Sequence, residues 1–218
     1  MKKFPILILA LIAVALLALP SLALSPNRIG ESNFERGWRR LMHDNREEAV
    51  EAFAVGSEAY SEALAEQPRA RYTNFLSNLA KAGMSFYYAG RFDEAVDVLD
   101  EVYEPSSKLW ESAMYSAMSY AYLGDKAKTI EWLERFHAMY SDAQILSDVA
   151  HRQLVGLVSG DVAIDAAADA LDKAVFRQFR YNVSSMGQAR AISTDSCSGA
   201  YWWRYAYKPC KNNLRYSN

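Results

Sequence analysis

The residue types that could carry chemistry in this chain are three histidines, two cysteines and a cluster of aromatic and basic residues near the C-terminus. The histidines are His43, His137 and His151. None has another histidine three or four residues away, the spacing that would set two imidazoles on one helix face as a metal site. The sequence places His43 at a turn and His137 and His151 at solvated positions. No G-x-S-x-G, no H-E-x-x-H and no glycine-rich phosphate loop occurs. The acid pairs Glu47-Glu48 and Asp93-Glu94 stand where helices begin, and the positive end of the helix dipole accounts for them. The expectation is a protein that is not an enzyme, with no catalytic residues, no cofactor and no metal.

The cysteines are Cys197 and Cys210, with twelve residues between them. That spacing is neither a redox C-x-x-C pair nor a haem site. An oxidising compartment would favour a bridge between them, with free thiols as the alternative. Around them lie Tyr201, Trp202, Trp203, Arg204, Tyr205, Tyr207 and Lys208. Rings beside cations suit stacking on a glycan or contact with an anionic polymer. Equally, these rings could pack on the rest of the chain, because so much aromatic surface left in water favours aggregation.

The compartment follows from the first residues. Lys2 and Lys3 precede an apolar run from Phe4 to Leu19, then Pro20 and the small-residue stretch Ser21-Leu22-Ala23. This is the pattern of a bacterial secretory signal peptide cleaved after Ala23. The run is short for a membrane span, which needs about 20 residues. The expected localisation is periplasmic or secreted, with membrane contact only before cleavage. From Arg177 onward there are seven basic residues and one acid, whereas residues 24–176 carry 15 basic and 25 acidic ones. An acidic body with a basic tail predicts either self-docking of the tail or a meeting with something anionic. Nucleic acid does not suit a secreted acidic protein.

Between these ends the apolar residues recur at helical spacing. Residues 24–30 read as a linker, and Ser32 with Glu35 as a capping box opening a helix with Phe34, Trp38 and Leu41 on one face. His43-Asp44-Asn45 interrupts it. A second helix from Arg46 runs to about Ala65, before Pro68. A third starts near Tyr72 or Thr73 and stops at Gly90. Its partner opens at Asp93-Glu94 and carries Ala95, Val96, Leu99 and Val102. Trp110 to Ala121, Gly124, and then Ile130, Leu133 and Phe136 repeat the pattern. Gly90 to Gly124 and Leu99 to Leu133 are both 34 residues. From Phe53 to Leu99 is 46 residues, which implies a longer second helix or an added turn in the first unit. A fourth pair is read from Asp142 through Gly160 to Phe176, after which the helical period fades. The expected domains are a signal peptide at 1–23, a linker at 24–30, helical repeats at 31–176 and a basic aromatic tail at 177–218.

The 34-residue period, with Gly90-Arg91-Phe92-Asp93-Glu94-Ala95 opening a second helix, resembles the tetratricopeptide repeat family. Gly83 stands at the family's small packing position, Phe86 or Tyr87 at its aromatic position and Ala95 where the helices cross. The first unit keeps Gly37, Ala49 and Phe53, with Asp44 in place of the turn glycine. In the third, Ala117 replaces the small glycine. The resemblance implies an all-α fold, an α-solenoid of antiparallel helix pairs, followed here by a short irregular or extended disulfide-bonded tail. It also implies an adaptor or scaffold that binds a protein or peptide partner in a concave groove lined by the first helix of each pair. The residues expected on that face are Phe34, Trp38, Lys81, Met84, Tyr88, Tyr115, Met118 and Tyr122. A Met- and aromatic-lined groove suits an apolar or amphipathic segment. The same stripe also reads as ordinary core, and a second function is open: glycan or anionic-ligand binding through the tail.

Overall fold

Among the described residues four have positive φ: Asp44 at 59°, Gly90 at 76°, Gly124 at 78° and Gly160 at 85°. Each follows the end of a helix, where a left-handed residue lets the backbone turn back and re-pair its last carbonyls. At the second turn the Gly90 and Arg91 amides donate to the Tyr87 and Phe86 carbonyls at 3.0 and 2.8 Å. Gly124 and Asp125 repeat this on Ala121 and Tyr120 at 3.1 and 3.0 Å. Asp44 occupies the corresponding place in the first turn, as the spacing of the repeats predicts. Asn45 and Asp125 then start the next helices, their side chains accepting from the Glu48 and Lys128 amides at 3.3 and 2.9 Å.

The computed structural model describes residues 24–103, 109–139 and 143–184. Among the described residues the fold is all-α, with eight helices and no strand. They are α1 (Pro26–Met42), α2 (Arg46–Ala65), α3 (Leu76–Tyr88), α4 (Phe92–Val102), α5 (Trp110–Tyr122), α6 (Lys126–Ala138), α7 (Gln144–Ser159) and α8 (Ile164–Ser184). Neighbours in sequence pack as hairpins, α1 on α2, α3 on α4, α5 on α6 and α7 on α8, and each hairpin packs on the next. The signal peptide expected at 1–23, the bridge expected between Cys197 and Cys210, and the tail cluster Tyr201, Trp202, Trp203, Arg204 and Tyr205 lie outside the described residues.

One contact recurs within the hairpins. A Cβ added at Gly83 would lie 2.4 Å from Leu99 Cγ, and one at Gly37 would lie 2.9 Å from the Phe53 ring. The small residue of the first helix thus admits the large side chain of the second. Both contacts are offset by 46 residues, twelve more than the later period of 34. Nine of those twelve lie in α2, which has 20 residues against 11 in α4, and three in the connection that follows. Between hairpins, Arg91 reaches from the start of α4 back to α2. It donates to Glu58 at 3.0 Å and Ser61 at 2.8 Å while holding Glu94 of its own helix at 2.6 Å.

Three boundaries differ from expectation. α1 begins at Pro26, so residues 26–30 are helix rather than linker and Ser32 is mid-helix. Proline is preorganised for the first helical position, and the Gly30 position lies against the Tyr60 ring, so α2 extends the helix by a turn and a half. α3 begins at Leu76, after a series of turns over 71–75. α8 runs on to Ser184, so the tail does not begin at Arg177. The sequence after Phe176 looks polar, but Gln178 and Phe179 are both buried.

Candidate functional site

The face built by α1, α3 and α5 is where a groove was expected, and α8 lies against it. Phe179 stands with its ring centre 4.4 Å from Trp38 at 88° and 5.5 Å from Trp110. Leu171, Val175 and Phe179 are fully buried. At about 1.5–3 kcal/mol for each such side chain, these three contribute roughly 5–9 kcal/mol as an upper bound. A helix seated at that cost is part of the core rather than a loose lid.

This corrects the open groove expected from the repeat pattern. Phe34, Trp38, Lys81, Met84, Tyr115 and Met118 are all buried. Phe34 packs edge-on against Phe53 at 5.8 Å within the first hairpin. Tyr88 stacks on Phe53 at 4.6 Å and shares a 2.9 Å hydroxyl hydrogen bond with Tyr115. Of the eight, Tyr122 alone is exposed, lying flat against Phe92 at 4.8 Å. The Met and aromatic stripe is therefore core, because a helix that begins 42 residues after the end of α5 fills the place a ligand would take.

Asp172 of α8 is the polar anchor of this seat. Its Oδ2 accepts from Arg46 at 2.9 Å and its Oδ1 from the Tyr87 hydroxyl at 3.1 Å. Burial, with Asp172 as the nearby negative charge, pushes the Tyr87 and Tyr88 phenols above their ordinary range. Burial does the same for Tyr115, next to Tyr88. These phenols stay protonated at neutral pH and serve as donors. With Asp172 itself buried, the cluster ties α8 to α2 and α3. A second tie, Arg180 to Asp44 at 2.9 Å, joins α8 to the first turn.

At the opposite end of the face Lys81 is buried and paired with Glu31 of α1. Tyr72 donates to the other Glu31 oxygen at 2.7 Å, and Asn78 donates to the Tyr72 carbonyl at 2.7 Å. Burial alone would raise the Glu31 carboxyl. The Lys81 ammonium and the hydrogen bonds from Lys81 and Tyr72 outweigh it and hold the group below the usual carboxylate range. Burial and the bond to Glu31 push the Tyr72 phenol up to about 12. Lys81 thus fastens α3 to α1 instead of facing a groove.

Two features were not visible in the sequence. A surface cleft of about 560 Å³ opens between α7 and α8, with Val149, Ala170 and Phe176 on its apolar side and Arg152, Gln153, Lys173 and Arg177 on its polar side. Lys173 pairs with Asp169 at 2.5 Å. Arg152 and Arg177 are 25 residues apart, and only the α7–α8 hairpin brings them together. The second feature is the contact of His137 on α6 with His151 on α7, ring centres 5.6 Å apart and nearly perpendicular. Partial burial and the neighbouring His151 lower the His137 pKa. Among the described residues no group of three or more His, Cys, Asp or Glu side chains is arranged to hold a metal ion, and no helix is long and apolar enough to cross a membrane. Comparison of the chain with protein-family models, with curated proteins and with solved structures finds no match.

Proposed function

We propose that this chain is a tetratricopeptide-like α-solenoid adaptor, secreted or periplasmic and without catalytic activity, that recruits an acidic segment of a partner protein. The 34-residue period, the recurring glycine contact and the left-handed turn residues support the repeat reading. The signal-like residues 1–23 support the compartment. Because α8 fills the face of the first helices, the partner docks outside that face, in the cleft between α7 and α8.

The observation that carries this reading is the cleft itself. Among the described residues Arg152 and Arg177 make no ion pair, Lys173 shares its charge with Asp169, and an apolar wall stands behind them. A segment bearing carboxylates next to an apolar side chain complements that surface. The test is crosslinking of the mature protein in envelope extract, with partners identified by mass spectrometry. The Arg152→Glu/Arg177→Glu double variant is expected to lose the partner while keeping its helical circular dichroism. Capture that survives this variant but is lost on deleting residues 198–218 would overturn the cleft in favour of the aromatic basic tail.

A further inference from the structure

We infer that His137 and His151 form a two-imidazole clip for a borderline divalent metal ion such as Ni2+, Cu2+ or Zn2+, stapling α6 to α7. The inference is independent of the partner cleft. The two residues are 14 apart, on consecutive helices, and their ring centres are 5.6 Å apart. A metal–imidazole bond of about 2.0–2.1 Å puts each ring centre about 3.2 Å from the ion. Two rings subtending about 110–120° then have centres about 5.2–5.6 Å apart. The observed spacing falls at the upper end of that span. The rings meet edge to face, and turning about a Cβ–Cγ bond re-aims a ring's nitrogens while leaving its centre nearly in place.

A neutral imidazole keeps one ring nitrogen with its lone pair free to bind a metal ion. Both residues are exposed, so water completes the coordination and the ion can enter and leave. Imidazole nitrogen selects Zn2+, Ni2+ and Cu2+ over Mg2+ and Ca2+, which prefer oxygen. An ion held here would join the third hairpin to the fourth, the one that carries α8.

The test titrates Ni2+ into the tag-free full-length protein, with Mg2+ as the hard-ion control. Saturation at one equivalent of Ni2+ and no response to Mg2+ are expected. His137→Gln and His151→Gln are each expected to weaken Ni2+ binding by at least about tenfold. With Cu2+ in place of Ni2+, the electron paramagnetic resonance spectrum should show two coordinating nitrogens in the parent and one in either variant. Unchanged Ni2+ affinity in the double variant would overturn the inference. In the unsubstituted chain, Ni2+ should protect His137 and His151, but not His43, from diethyl pyrocarbonate. Protection of His43 alone, or of no histidine, would also overturn it.

Discussion

Phe179→Ala tests whether α8 belongs to the core. The ring is fully buried and meets Trp38 and Trp110 at 4.4 and 5.5 Å. Truncating a buried phenylalanine costs about 3–5 kcal/mol, through lost transfer energy and the cavity left behind. The two aromatic contacts, worth about 0.5–1.5 kcal/mol each, put the expected loss toward the upper half of that range. For a chain of this size that loss lowers the melting temperature by roughly 10 °C or more. Urea denaturation followed by tryptophan fluorescence and by far-ultraviolet circular dichroism gives the value, and the two probes should report one transition. A second variant, Asp172→Asn, lies two turns earlier on α8 and removes the charge bonded to Arg46 and Tyr87. If α8 docks as one unit, both substitutions shift the same single transition. A loss under about 1 kcal/mol for Phe179→Ala, or an early separate transition in the parent protein, would refute the seating of α8 as core.

Gly83→Ala should destabilise by about 1–3 kcal/mol, because its methyl meets Leu99 Cγ at 2.4 Å; Gly83→Ala/Leu99→Ala should cost less than the sum of the two single losses in a thermodynamic cycle. Gly90→Ala should cost about 1 kcal/mol by chemical denaturation, since its φ of 76° penalises a Cβ even in open space. Glu31 is held below the usual carboxylate range, so its contribution is fully present above about pH 5 and is lost as pH falls through its lowered pKa; Glu31→Gln should flatten that part of the stability–pH curve. His137 has a lowered pKa, so the unfolded chain takes up its proton first; stability should begin to fall below about pH 6.5, and His137→Gln should remove that first step.

The turns were the most legible part of the chain, because each rests on local chemistry. Gly90, Gly124 and Gly160 adopt the left-handed conformation their type allows, and the repeat register alone placed Asp44 beside them. The extra twelve residues of the first unit were counted correctly, and the structure assigns most of them to α2. Contacts between distant residues were not legible. Asp172 pairs with Arg46 across 126 residues, and nothing in either neighbourhood advertises it. Phe34, Trp38, Met84 and Met118 read equally well as groove or core, since periodicity fixes a face but not what covers it. His137 stands in the last turn of α6 and His151 two turns into α7, so their contact depends on how the two helices pack, which neither sequence neighbourhood shows.

The Arg180–Asp44 pair spans 136 residues and brings the last described helix onto the first turn. In an array where each hairpin touches only its neighbours, stability adds hairpin by hairpin and ends fray independently. Tying the last helix to the first turn makes a ring of dependence instead. Loss of α8 exposes Trp38 and Trp110 at once, so a C-terminal truncation within α8 acts on helices at both ends of the fold. The same tie raises the sequence separation of the contacts that complete the fold, and such contacts form slowly. A chain released from its N-terminal end must therefore wait for its final helix, with an aromatic face uncovered until that helix arrives.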